Sequence, residues 1–212
     1  YDWWNKTGNY RLLHKLNPIR LEYIISRFNV KNKKILDIGC GGGILTEQLN
    51  KMGAKVTGID SSEKSIKIAS QHANEQKLDI KYINASILEV SDLGGYDCIV
   101  CFEMIEHVSD PKKLLEKINE LSSDHCHLFM STINRNLKSF MLAKIIAEYV
   151  LNIVPKGTHQ YSKFVTPYEL NKLLENNKYR LSELTGVVFN PLNETFNLSK
   201  DTDINYFLHA ER

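Results

Sequence analysis

Ile35-Leu-Asp-Ile-Gly-Cys-Gly-Gly-Gly43, followed by Val56-Thr-Gly-Ile-Asp60, decides the fold. A short apolar run ending in clustered glycines reads as a strand entering a tight turn. A backbone without Cβ atoms bends sharply there and lets a ligand come close. The apolar spacing from about Ile44 to Met52 predicts a helix, and Lys55 to Ile59 a second strand that ends at Asp60. Asp60 lies about 20 residues past the first glycine, the spacing at which an acid meets the ribose hydroxyls of an adenosine-type cofactor.

The same rhythm continues on both sides of this unit. Asn17-Pro18 predicts an N-cap with proline at the first helical position, opening a helix whose apolar face is Leu21, Ile24, Ile25 and Phe28. A helix beginning near Ser62 carries Ile66, Ala69 and Ala73 on one face; Ile80 to Ile83 and Tyr96 to Phe102 read as strands. Leu114, Leu115, Ile118 and Leu121 mark a helix after Pro111, and Cys126 to Ser131 a further strand. Thr166-Pro-Tyr-Glu169 is a capping box, and two strand-like runs follow, Tyr179 to Phe189 and Asp203 to His209. Strands alternating with helices predict one α/β domain over 1–212, with an N-terminal helical segment over 1–30. Its sheet is doubly wound, mostly parallel and covered by helices on both faces. Ligands then sit at the carboxyl ends of the strands, where Gly39, Asp60 and Glu103 all fall.

The alternation breaks after Asn136. From Phe140 to Val154 the strongly polar residues are Lys144, Glu148 and Asn152, a thin stripe on an otherwise apolar helix. An insertion over about 137–165 therefore reads as a lid, an oligomer interface, a tunnel for a lipid tail or a helix lying on a bilayer. No run of 18 apolar residues exists, so no membrane span is expected.

Composition narrows the function. Lys plus Arg number 27 against 25 Asp plus Glu, a formal +2, so no basic field marks a nucleic-acid groove. Lys31 to Lys34 and Lys112-Lys113 read as solvated turns and helix starts. The four cysteines lack framework spacing and suit a reducing compartment. Cys98 and Cys101 form a C-x-x-C inside an expected strand, where residues three apart point to opposite faces; they read as core, not as a metal grip. The chain begins at Tyr1 rather than Met, so a preceding segment is expected. The N-x-S/T triplets at Asn5, Asn84, Asn193 and Asn197 carry little weight in an intracellular protein.

The glycine spacing selects the cofactor. A dinucleotide fold carries G-x-G-x-x-G, whereas here Gly39, Gly41 and Gly43 alternate and position 44 is Ile. With Asp37 two residues before the first glycine, Asp-x-Gly-x-Gly-x-Gly resembles the class I S-adenosylmethionine-dependent methyltransferases. Farther along, Glu103-Met-Ile-Glu106-His107 follows the fourth strand. On a helical turn Glu103, Glu106 and His107 would share one face, a candidate divalent-cation site. Oxygen ligation favours Mg²⁺ or Mn²⁺, and the histidine leaves Zn²⁺ open. The competing reading is a solvated turn whose histidine caps a backbone group.

Longer strings make the resemblance closer. Trp3-Trp4, Asn17-Pro-Ile-Arg20, Ser131-Thr-Ile-Asn-Arg-Asn136 and Val154-Pro-Lys-Gly-Thr-His159 are similar to the ubiquinone-biosynthesis O-methyltransferase family, over nearly the whole chain. The resemblance implies a Rossmann-like fold with a seven-stranded sheet, and methylation of a polyprenylated catechol by S-adenosylmethionine. It implies that Arg20, Asp37, Gly39, Gly41, Asp60, Ser86 and Phe102 bind the cofactor. Glu103, Glu106 and His107 would hold a divalent metal, and Glu106 and His107 would act in catalysis, with His107 or His159 as a direct base if the metal is incidental. It further implies contact of the Phe140 to Val154 helix and the Lys156 to Lys163 loop with anionic membrane lipid. Association with other ubiquinone-biosynthesis proteins is expected, in the cytoplasm at the inner membrane, or on the matrix face of a mitochondrion. Ser122-Ser-Asp-His-Cys126 departs from the Pro-Gly-Gly turn of relatives, so that turn's shape is open. Two other classes compete, an NAD-dependent oxidoreductase and a non-catalytic methyltransferase-like subunit.

Overall fold

In the computed structural model, which describes residues 2–91, 93–136, 139 and 163–212, strand β1 (Lys34–Ile38) is buried at every position after the first. That burial on both faces explains why its sequence is continuously apolar rather than alternating. β2 (Lys55–Asp60) and β4 (Tyr96–Phe102) flank it in parallel, with β3 (Lys81–Asn84) outside β2 and β5 (Ser122–Ile133) outside β4, again parallel. β6 (Arg180–Asn190), β7 (Thr195–Ser199) and β8 (Asn205–Glu211) join antiparallel, giving the order β3-β2-β1-β4-β5-β8-β6-β7. Strand order reverses between β1 and β4, so the turns leaving these two strands open a crevice at the carboxyl edge of the sheet.

Helices cover both faces. α1 (Arg11–Ile25) and α2 (Ile44–Lys51) bring Leu16, Tyr23, Ile24, Leu45 and Leu49 against Phe129 and Phe207. α4 (Pro111–Leu121) and α5 (Pro167–Asn176) bring Leu114, Leu115, Ile118, Leu170 and Leu174 against Ile99, Leu128 and Tyr206 on the other face. Cys98 belongs to the first cluster and Cys101 to the second, opposite faces as strand alternation requires, and all four cysteines are free and buried. α3 (Glu63–Glu75) starts at the Ser62 cap, which accepts from the Ser65 amide. Asp110 caps α4, and the Thr166–Glu169 capping box opens α5.

Four expectations are corrected. α1 begins at Arg11, six residues before the expected cap, and Asn17 is buried within it. Pro18 lies on the solvent side, where water can meet the carbonyl left without its amide partner. Its buried side includes Leu16 and Tyr23, while Ile25 is exposed. The sheet has eight strands among the described residues rather than seven. The extra one, β7, pairs with β6 alone and buries no residue fully; its Thr-Phe-Asn-Leu-Ser alternation spans only five residues, too short to stand out in the sequence. β5 starts at Ser122 rather than Cys126: Tyr96 pairs with Ser122 and Cys98 with His127, so residues 123–126 bulge out of register. The helix expected from Phe140 to Val154, His159, and the loop expected over 156–163 apart from Lys163 lie outside the described residues. Among the described residues, no helix is long and apolar enough to cross a membrane.

Candidate active site

Two cavities meet at Gly39, the first residue after β1. One, about 230 Å³, is lined by Trp3, Arg20, Asp37, Gly41, Phe102 and Glu103 among others. The second, about 320 Å³, is lined by Asp60, Ser86, Ile87, Met104 and His107 on its far side. Every cofactor residue expected from the sequence borders one of the two.

The glycine turn shapes the junction. Gly39 has φ +75°, a left-handed conformation, and a Cβ there would come within 3.3 Å of Met104 Sδ. Gly41 has φ +54°, and a Cβ would strike Trp3 at 2.6 Å. The Gly41 amide donates to Asp60 Oδ2 at 2.9 Å, and the Ser62 amide to Oδ1 at 2.8 Å. Asp60 is thus fixed from two sides, with accepting capacity left toward the second cavity. Ser86 lines that cavity from the start of a 3₁₀ turn, Ile87–Glu89.

The first cavity is built around a guanidinium. Arg20 is largely covered, its buried Nε and Nη2 have no hydrogen-bond partner, and Glu103 lies at 3.9 Å from Nη2. Burial lowers its pKa, while Glu103, Asp37 and Glu106 pull the other way. Unpaired buried donors cost free energy unless a ligand completes them, so this wall fits a carboxylate from the cofactor. Phe102 lies 5.4 Å below the guanidinium carbon and stacks on Phe207 at 5.2 Å, which fixes the height of the arginine. Asp37 is buried and accepts from Thr46 at 2.6 Å; desolvation pushes its pKa up to about 6, against the pull of Thr46 and Arg20.

The acids after β4 are only partly gathered. Glu103 has φ +52°, rare for a side chain of its size, and its amide bonds to Ser131. Ser131 Oγ donates to Glu103 at 2.7 Å and Thr132 Oγ1 to Glu106 at 2.9 Å. Burial, and next the neighbouring Glu103 charge, raise the Glu106 pKa. A cation would relieve the repulsion between two neighbouring carboxylates, and their oxygens suit a divalent ion. His107 sits on a 3₁₀ turn, Ile105–His107, exposed and on the wall of the second cavity. Among the described residues, the ligand atoms of Glu103, Glu106 and His107 are not drawn to within 4.8 Å of one another, as those of another trio are.

The sequence alone left the N-terminal aromatics without a role. Trp3 lies over Gly41 and Gly42 and stacks on Tyr10 at 4.1 Å; Trp4 donates to the Gly42 carbonyl and stacks on His72 at 3.5 Å. Two adjacent tryptophans in an otherwise polar lead-in were the available signal, since such residues seldom stay uncovered.

A family model described as a methyltransferase domain matches residues 9–184. The chain is 44% identical over 206 residues to a ubiquinone biosynthesis O-methyltransferase of Coxiella burnetii, spanning 97% of this chain and 88% of that protein. It is 41% identical over 214 residues to the protein of the same name from Cupriavidus pinatubonensis, spanning 100% and 86%. Two solved structures share the fold. Magnesium protoporphyrin IX methyltransferase from Synechocystis, with bound SAH, superposes with a TM-score of 0.71 at 20% identity, over 96% of this chain and 84% of that one. A SAM-dependent methyltransferase from Aquifex aeolicus gives 0.65 at 17% identity, over 96% and 98%.

Proposed function

The chain belongs to the ubiquinone biosynthesis O-methyltransferases, and from that premise we propose that it methylates one hydroxyl of a polyprenylated catechol, with S-adenosylmethionine as donor and a divalent cation at Glu103 and Glu106. The observation that carries the reading is the buried Arg20 guanidinium, with two unpartnered N–H groups beside the glycine turn. Arg20 takes the methionine carboxylate, Asp60 the ribose hydroxyls, and Ser86 and Ile87 flank the adenosine end. Gly39, between the cavities, leaves room for the donor to pass close to the backbone.

A catechol hydroxyl has a pKa of about 10, so little phenolate exists at neutral pH. Glu103 and Glu106 would hold Mg²⁺ or Mn²⁺, and the cation would lower the pKa of the catechol hydroxyls, while His107 stands apart on the wall of the second cavity. The apolar walls at Trp3, Phe102 and Ile44 limit water, which favours a step in which phenolate and sulfonium charges cancel. A second reading needs no cation: the raised Glu106 carboxyl, or His107 at the cavity wall, takes the catechol proton directly.

The apolar Phe140 to Val154 sequence supports a route for the polyprenyl tail, and with it peripheral association with anionic lipid and other ubiquinone-biosynthesis proteins. The place of work is then the cytoplasmic face of an inner membrane, or the matrix face in a mitochondrion. Sedimentation with anionic liposomes tests this, and protein left wholly in the supernatant overturns it.

Methyl transfer from labelled S-adenosylmethionine to a short-chain prenylated catechol, with Mg²⁺ and with a chelator, tests the reaction. Product that vanishes with the chelator supports the cation. Product that survives chelation transfers the task to a side-chain base, and no product despite cofactor binding overturns the substrate.

A further inference from the structure

The edge of the sheet opposite the glycine turn carries chemistry that methyl transfer does not use. His127 pairs with Cys98, and Cys98 with Ile35 near the start of β1, whereas Gly39 lies beyond the end of β1. In the β5–β8 ladder His127 stands opposite Glu211, and Phe129 opposite His209. Alternate residues share a face, so all four side chains project toward α1. There Tyr23 meets Phe129 edge-on at 6.0 Å, and Phe28, just past α1, packs on His127 at 4.6 Å.

His127 Nδ1 and His209 Nε2 face each other at 2.9 Å. Two imidazole nitrogens at that distance repel through their lone pairs unless a proton or a cation lies between them. Glu211 Oε1 completes a triangle, 4.0 Å from His127 Nδ1 and 3.6 Å from His209 Nε2. The centre of the circle through corners 2.9, 3.6 and 4.0 Å apart lies about 2.1 Å from each, the length of a Zn–N(His) or Zn–O(carboxylate) bond. Among the described residues, this is the trio of His, Cys, Asp or Glu whose ligand atoms converge.

We propose that His127, His209 and Glu211 form a zinc-class metal site that clamps β5 to β8. Two imidazoles and one carboxylate are a nitrogen-rich set, suited to Zn²⁺ rather than to Mg²⁺, which prefers oxygen. Glu211 is half exposed, so the fourth position opens to water. Burial lowers the pKa of both histidines. The surrounding charges are mixed, with Lys33 and Arg27 opposing a cation and Glu183 adding to Glu211. The donor set, not a general negative field, therefore accounts for affinity. The clamp is independent of the carboxylate pair after β4.

The test is calorimetric titration of the chelator-treated, dialysed full chain with Zn²⁺, together with thermal unfolding with and without the metal. One Zn²⁺ per chain and a raised melting temperature are expected. His127→Gln and Glu211→Gln, at partly exposed positions, should each weaken binding on the order of 100-fold, since disturbing even an outer partner of a ligand costs 10–100-fold. Both should keep their circular dichroism and their methyl transfer. Glu106→Gln should bind Zn²⁺ as the unaltered chain does. Absence of saturable binding, binding unchanged in both the His127 and Glu211 variants, or loss of binding in Glu106→Gln would each overturn the site.

Discussion

Arg20 shows how a single residue can announce a missing partner. Its planar fork is buried beside three carboxylates, yet Nε and Nη2 bond to none of them. Replacing it by Met should therefore weaken binding of S-adenosylhomocysteine more than it disturbs the fold. A charge-assisted pair contributes about 1.5–3 kcal/mol, so a rise in Kd of roughly tenfold to hundredfold is expected by calorimetry. An unchanged Kd would place the cofactor carboxylate elsewhere. At this scale the sequence spoke unevenly. Asp60 was legible because its role depends on spacing along the chain, from one strand end to the next. The separation of His107 from Glu103 and Glu106 was not, because it depends on the positive φ at Glu103 and on a 3₁₀ turn in place of a regular helix. The opposition of His127 to His209 was equally hidden, since register between strands 82 residues apart leaves no local pattern.

Among the elements, β6 carries both a close backbone approach and an ion pair to the end of α1. A Cβ on Gly186 would meet the Asp201 carbonyl oxygen at 1.6 Å, and that obstacle is backbone rather than a side chain able to turn away. Gly186→Ala should lower stability by about 1–3 kcal/mol, read as a reduced denaturation midpoint with folding otherwise intact. Glu183, three residues earlier, takes a two-pronged bond from Arg27 at 2.7 and 2.6 Å, tying the end of α1 to the sheet. Arg27 first, helped by Thr185, depresses the Glu183 pKa from 4.5 to about 2. Between those values the unfolded chain binds more protons than the folded one, so stability falls as pH drops through the window. The pair is partly exposed to solvent, and its contribution should stay below about 1 kcal/mol. Glu183→Gln should thus unfold more easily than the unaltered chain at pH 7 and match it by pH 2, in urea titrations at each pH. The apolar runs of β1, β2 and β4 were legible because those strands are buried almost throughout. The reading failed at β7, whose alternation lasts only five residues, and at the start of β5, where a bulge breaks the register.

For the whole molecule, the division of the sheet matters most. The parallel half, β3-β2-β1-β4-β5, holds both cavities at its carboxyl edge, and the antiparallel half buttresses β5 from the far side. A change at the β5–β8 seam should therefore lower thermal stability while leaving the affinity for S-adenosylhomocysteine untouched. Phe129→Ala, cutting into a core shared by α1 and β8, should cost about 3–5 kcal/mol by thermal unfolding, with the Kd of the surviving folded fraction unchanged.

The position of β8 between β5 and β6 has a consequence for the chain as it leaves the ribosome. The first five strands can pair in the order in which they are made or beside one already present, but β6 and β7 emerge before the strand that connects them to the rest. Until Asn205 to Glu211 has been synthesised, β5 and β6 both present open, apolar borders, the kind to which other nascent chains adhere. Translation that stalls late in this message would leave a polypeptide with its catalytic half assembled and its flank unsealed, a ready client for a chaperone.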